Sequence, residues 1–389
     1  MLTDQQRFDL CNYRYGRLQQ AMQARNVAGC ILNSPVSMRY AADSNEYALF
    51  QAHIPTIYLY VPAQGPAIFY GAAGRKYHNV GDYRRSRFVT PFDGGLDLTQ
   101  HYAYLVQDLC DLVPKGERIA VDRFGPQLSF GLQEAGRTVV DAEVIVEAAK
   151  LVKSAEEILC IRHSVDVAQR GIQAMYDALE PGKTENQILA ELQRVNTAEG
   201  GDWLDGKMLA SGQRTNPWLQ EATGKIIEAG DLVGFDTDMI GPNGYLADIS
   251  RTWLVGDHPT QEQLEAYQHA YDEIEHNKSI VRPGVAFSEL SRLCFERAEA
   301  YKDLRYVCAF HGCGLSDEYP KVYYAEDWPS HMQDGELAPG MVISVESYSG
   351  AVGGTCGVKL EDMVLVTETG SEPLSTYPFE EKLLAPAMV

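Results

Sequence analysis

The stretch DLVGFDTDMIGPNGYLADISR (231–251) constrains the fold most tightly, because it sets three acids into neighbouring apolar strands. Leu232 to Asp238 has a strand composition, Gly241, Pro242, Asn243 and Gly244 make a turn cluster, and Tyr245 to Thr252 runs back, so the segment reads as a β-hairpin. Side chains two apart on a strand share a face, which sets Asp236 beside Asp238 and turns Phe235 and Thr237 the other way. Like charges so placed repel unless a cation lies between them. Asp248, on the returning strand, folds back towards the pair. Acids at hairpin ends are commonly solvated turn residues, but these stand inside apolar strands. Three carboxylates converging from one hairpin are the makings of an all-oxygen metal site.

A chain of 389 residues can bury a large core and divide into two domains, expected here at 1–148 and 149–389. The net charge of −21 argues against nucleic acid or an anionic membrane as partner. No apolar run approaches the roughly 20 residues of a membrane span. Met1 leads into polar TDQQRFD, so no signal peptide is expected. The eight cysteines form no CxxC pair and read as reduced thiols, which makes the cytoplasm the expected location.

Residues 1–148 read as an α/β domain, with helical character over 5–25 and through 107–112, and strands at 29–32, 55–61, 67–70 and 118–121. Tyr47 and Phe50, in the polar and aromatic segment 33–51, are candidates to line a substrate pocket. Beyond it, Ser154 with Glu157 has capping-box spacing, and Ile158, Ile161, Val165, Ala168, Ile172, Met175 and Leu179 recur three or four apart. This predicts a long amphipathic helix ended by Pro181-Gly182, and Thr184 with Gln187 opens a second. About a hundred residues later Thr260 with Gln263 opens another helix, Pro283-Gly284 ends it, and 287–301 is expected to be helical again. EPGKTENQI (180–188) and RPGVAFSEL (282–290) thus hold equivalent places. The pattern predicts an internal repeat, two similar halves packed around one site.

The second half supplies matching ligands: His311 in FHGCGLSDEYP (310–320), Glu346 in MVISVES (341–347) and Glu361 in VKLEDMVLV (358–366). Lone acids on apolar strands are usually paired or at an edge. Two on consecutive strands, with a histidine and a three-aspartate hairpin, call for another explanation. Asp236, Asp238, Asp248, His311, Glu346 and Glu361 form the candidate metal set, and its five carboxylates require cations if buried. Two divalent ions bridged by shared carboxylates meet that need. One imidazole among oxygen ligands suits iron, manganese, cobalt or zinc better than magnesium or calcium. Cys313, beside the histidine, reads as a packing residue.

Asp236, DISRT (248–252), the histidine of HGCG (311–314), PGMVISVE (339–346) and GVKLED (357–362) resemble the signature of the pita-bread metallopeptidases: methionine aminopeptidase, Xaa-Pro peptidases and creatinase-like enzymes. KSAEEI (153–158) resembles the usual entry into their catalytic domain. The resemblance implies an α/β (α+β) chain, a creatinase-like N-terminal domain followed by a pita-bread catalytic domain with a pseudo-two-fold repeat. The chain departs from the peptidases in two places. Asp236 and Asp238 stand twelve and ten before Asp248, where peptidases space two aspartates eleven apart, and Asp317-Glu318 replaces a second histidine. Both departures resemble the DddP-type dimethylsulfoniopropionate (DMSP) lyases, as do LASGQRTNPWLQE (209–221), RYVCAFHGCGLSDEYP (305–320) and YAEDWPSH (324–331). The first 150 residues match those lyases less well and lack their longer N-terminal extension.

From this resemblance follow the same six ligands, iron as the metal, Asp317 as catalytic aspartate and Tyr306 as a tyrosine near the substrate. The implied reaction is base-assisted elimination of DMSP to dimethyl sulfide and acrylate, with Tyr306 or Trp203 meeting the sulfonium through a cation–π contact worth about 0.5–2 kcal/mol. Relatives of this build imply a homodimer. The alternatives are a hydrolase on the same scaffold (Xaa-Pro dipeptidase, creatinase-like or ectoine-hydrolase-like) and a metal-free binding module. An intact ligand set speaks against the module.

Overall fold

A computed structural model describes residues 2–45, 47–71 and 74–384. The chain forms two compact units that divide between Glu156 and Glu157, just inside the helix Ala155–Ala178.

Among the described residues, the first unit is built on six strands, β1 (Gly29–Leu32), β2 (Tyr58–Pro62), β3 (Ala67–Tyr70), β4 (Val80–Arg84), β5 (Arg118–Val121) and β6 (Thr138–Asp141), in the order β4-β3-β2-β1-β5-β6. β1, β5 and β6 run parallel, while β2 is antiparallel to β1. The helix Thr99–Leu112 turns Tyr102, Leu105 and Leu109, spaced three and four apart, into the apolar core with Ile31, Tyr58 and Ile119. Burial on this face of the sheet, not local propensity, holds the helix in place.

Among the described residues, the second unit is built on eleven strands. A small sheet joins β7 (Trp203–Leu204), β10 (Met239–Ile240) and β11 (Leu246–Ala247). The large one contains β8 (Leu209–Ser211), β9 (Leu232–Asp236), β12 (Ser250–Leu254), β13 (Cys308–Cys313), β14 (Asp317–Tyr323), β15 (Val342–Gly350), β16 (Gly357–Val366) and β17 (Ser371–Pro373). Its path is β14-β13-β15-β16-β12-β9-β8, with β17 beside β16. The helices Glu185–Ala198 and Gln261–Ile280 start with the expected capping boxes at Thr184/Gln187 and Thr260/Gln263.

The expected repeat is visible in the backbone hydrogen bonds. Gly182 N donates to Ile227 O at 2.9 Å and Ile227 N to Lys183 O at 2.8 Å; Gly284 N donates to Leu337 O at 2.8 Å and Leu337 N to Val285 O at 2.9 Å. Further on, Gly230 pairs with Val255 as Gly340 pairs with Val366. All four glycines have positive φ, 98°, 80°, 91° and 88°, a backbone state that costs glycine little and makes each turn repeatable. The equivalence fixes the sheet: β8, β9 and β12 in one half match β13, β15 and β16 in the other. Ser250 lies directly opposite Glu361 at the β12/β16 seam, so the pseudo-two-fold axis passes between them.

Two segments differ from expectation. The strand read as 232–238 stops at Asp236, because Thr237 leaves the ladder: its hydroxyl donates to Ala247 O (2.7 Å) and accepts from Ile249 N (2.9 Å). Asp238 follows with φ 38°, so it does not share a pleated face with Asp236. The helix expected over 287–301 ends at Leu293. Phe295 N bonds Asn277 Oδ1 at 2.9 Å, and Arg297 is drawn into a buried ion pair with Glu273, which pulls the chain off the helical path.

Candidate metal centre

The pairing of β9, β12, β16, β15 and β13 delivers the acids. Ser250 is opposite Asp236, Glu346 opposite Glu361 and His311 opposite Ser344, so one sheet face collects side chains from all five strands. His311 is the hub. Its Nε2 lies 3.5 Å from Asp248 Oδ2, 3.4 Å from Glu346 Oε1 and 3.5 Å from Glu361 Oε1. Its Nδ1 is 3.1 Å from Gly312 O, so a proton on Nδ1 satisfies that carbonyl and leaves Nε2 free to bind a metal. Gly312 is required here: a Cβ would stand 2.5 Å from Tyr319 O across the bulge between His311 and Gly312.

Among the described residues, three groups bring ligand atoms within 4.8 Å of one another: Asp236, Asp248 and Glu361; His311, Glu346 and Glu361; and Asp248, His311, Cys313 and Asp317. Glu361 is common to two of them, as a bridging carboxylate must be. Asp236 Oδ1, Asp248 Oδ1 and Glu361 Oε1 are buried without a hydrogen-bond donor, which is costly for a carboxylate and is resolved by a cation. The donor set therefore fits the divalent ions expected of it.

Asp238 is outside these three groups. It lies over Gly206, whose Cβ would be 2.7 Å from Asp238 Oδ2. Burial, then the charges of Asp236, Asp317 and Glu361, push its carboxyl up to about 9. Burial and Glu361 likewise raise Asp236, and push Glu346 up to about 7. Glu361 is held low: burial opposes its charge, but Lys359 and His311 outweigh it.

Asp317 opens β14 with 67% of its side chain exposed and Oδ1 3.6 Å from His311 Nδ1. Its neighbour Glu318 turns inward and accepts from Leu315 N at 2.8 Å, which anchors the loop that presents Asp317. Tyr306 stands before β13, its phenol raised first by burial and then by the Glu346 carboxylate, so it keeps its proton. Trp203 is half-buried on β7 and its Nε1 donates to Asp205, whose carboxyl is raised by burial and by Asp317. Tyr47 and Phe50 belong to the first unit, exposed, with the Phe50 ring edge-on to Phe92 at 5.8 Å. Cys313, read from the sequence as a packing residue, is buried with its thiol 3.2 Å from Ser344 Oγ and 3.8 Å from His311 Nδ1.

Lys359 was not among the candidate residues. Its Nζ lies 2.9 Å from Asp236 Oδ2, 2.6 Å from Glu346 Oε2 and 2.8 Å from Glu361 Oε2. The signal was present in GVKLED, since a residue two before Glu361 on one strand shares its face. Trp218, over Lys359 at 5.4 Å, comes from LASGQRTNPWLQE (209–221), a stretch that carried the family resemblance but no sign of this contact.

The sequence pattern of metallopeptidase family M24 matches residues 159–368. The chain belongs to that family. Within M24 it is 36% identical to the dimethylsulfoniopropionate lyase DddP of Roseovarius nubinhibens, over 98% of this chain and 89% of that protein. The DddP of Roseobacter denitrificans is 33% identical over 96% of this chain and 87% of its own. These matches bear out the resemblance read from the motifs. An Xaa-Pro dipeptidase from Pyrococcus furiosus is 30% identical over 59% of the chain. The solved Xaa-Pro dipeptidase from Bacillus anthracis has a TM-score of 0.75 at 21% identity, covering 95% of this chain and 99% of its own, and so shares the fold. Among the described residues of this M24 chain, no helix is long and apolar enough to cross a membrane.

Proposed function

We propose that this M24 chain is a metal-dependent carbon–sulfur lyase that converts DMSP to dimethyl sulfide and acrylate. The observation that carries the reading is the placement of Asp317: an exposed carboxylate beside His311, at the mouth of a buried ligand cluster, in the segment where peptidases carry a second histidine. The identity to two DddP proteins over nearly the whole chain supports it.

Asp236, Asp238, Asp248, His311, Glu346 and Glu361 would hold two divalent ions, iron foremost. Bound there, such ions supply Lewis-acid stabilisation of the substrate carboxylate as negative charge develops. Asp317 accepts the proton from the carbon next to that carboxylate. The electron pair of the C–H bond becomes the new C=C bond, the C–S bond breaks, and its pair leaves on sulfur as neutral dimethyl sulfide. Tyr306, which keeps its proton, donates a hydrogen bond that orients the substrate or Asp317. Trp203 fixes Asp205 beside the Asp317 charge and offers a ring face to the sulfonium.

Dimethyl sulfide in the headspace above purified, metal-loaded protein and DMSP tests the reading, with metal measured on the same sample. Asp317→Asn is expected to fold and keep its metal, because the side chain is largely exposed, and to lose about 100-fold or more in rate. Full activity in that variant would remove Asp317 from the mechanism. No release from loaded wild-type protein would favour hydrolysis on the same centre, which the dipeptidase relatives support, and dipeptides would be the next substrates.

A further inference from the structure

The metal centre contains a charged group that ligand chemistry does not use. Lys359 is 1% exposed, and its ammonium contacts one oxygen each of Asp236, Glu346 and Glu361 and donates to Ser250 Oγ at 2.7 Å. The Trp218 ring, 5.4 Å away, covers it. Its contact with Glu346 Oε2 is an ion pair to an oxygen that has no hydrogen bond, but at the other two acids it avoids the orphaned oxygens: Lys359 takes Asp236 Oδ2 and Glu361 Oε2, while Asp236 Oδ1 and Glu361 Oε1 stay without a donor. The lysine thus divides these carboxylates into an ammonium-facing and a cation-facing oxygen. By the repeat equivalence, counting back from Val255 and Val366, Lys359 occupies the place that the ligand Asp248 holds in the first half.

We propose that Lys359 is the charge-setting residue of the centre, a fixed internal cation that matches it to two divalent ions and against a trivalent one. The inference rests on the metal reading above. With metals in place of the acid protons and His311 a neutral ligand, the five proposed carboxylates at −1 each and one ammonium at +1 leave −4, the charge that two divalent cations cancel. Without the ammonium the balance is −5, which one divalent and one trivalent ion cancel. A buried site strongly disfavours leftover charge, so the side chain at position 359 selects the ion pair.

The test is competitive loading of the full-length protein with Mn2+ and redox-inert Ga3+, read by elemental analysis and calorimetric titration. Wild-type protein is expected to take two Mn2+ and to exclude Ga3+. Lys359→Met is expected to bind Mn2+ at least about tenfold more tightly and to admit one Ga3+ beside one Mn2+, whereas Lys359→Arg keeps the wild-type preference. Lys359→Gln preserves the hydrogen bonding without the charge and gives the same answer if the Met variant fails to fold. A wild-type protein that takes Ga3+ with Mn2+ as readily as two Mn2+ overturns the proposal without any variant. So does a folded Met or Gln variant with unchanged or weaker Mn2+ binding, which would leave Lys359 a packing role. Wild-type protein that binds no metal would sink the metal reading itself, and this inference with it.

Discussion

At the scale of single residues, the centre is a set of acids made reluctant to ionise by their own crowding. Glu346 is pushed up to about 7 and Asp238 to about 9, first by burial and then by neighbouring carboxylates. An acid with a raised folded pKa binds its proton more tightly folded than unfolded. The stability these two lend the metal-free chain is therefore complete below the ordinary carboxylate range near 4, and is lost as pH rises through their folded values. Metal must displace the same protons, so apparent Mn2+ affinity should climb steeply between about pH 6 and 9, with protons released on binding. Calorimetry at several pH values in buffers of different ionisation heat measures both; a flat profile would mean that these groups do not bind metal. Each proposed ligand stands out in the sequence as an acid or imidazole within an apolar run; Asp236, His311, Glu346 and Glu361 lie on strands, Asp238 and Asp248 in the gaps between them. Lys359 was passed over because buried lysine is rare and a motif full of acids draws attention to the acids.

At the scale of elements, legibility followed periodicity. Strands at 29–32, 67–70 and 118–121 and the helices opened by Thr184 and Thr260 stood out, since alternation, Pro-Gly stops and Thr-x-x-Gln starts are local signals. The broken strand at Thr237 was not readable, because the interruption is made by a hydroxyl that reaches across to the returning strand. Nor was the stop at Leu293, where a distant partner, Glu273, decides the path. Thr237→Val keeps the shape but leaves Ala247 O and Ile249 N without their partner. It should cost about 1–3 kcal/mol in denaturant unfolding and weaken metal binding by loosening Asp236 and Asp248. An unchanged midpoint would show that the backbone here holds itself.

At the scale of the whole molecule, the six proposed ligands all belong to the second compact unit, and the sheet that gathers them runs through both halves of its repeat. A chelator should therefore raise amide exchange along the strands 232–254, 308–313 and 342–366 while leaving 29–32 and 118–121 unaffected. Exchange rising equally in both units would contradict a site confined to the second.

The two halves of the repeat are alike in backbone and unlike in what they hold up to the centre. Where one half offers Ala210, Asp248 and Ser250, the other offers His311, Lys359 and Glu361. A duplicated scaffold has thus become a polarised one: the halves share spacing, but the buried charge beneath the axis differs, an aspartate on one side and an imidazole and an ammonium on the other. A small zwitterion with unlike ends has a head and a tail in such a place, and only one way round to lie.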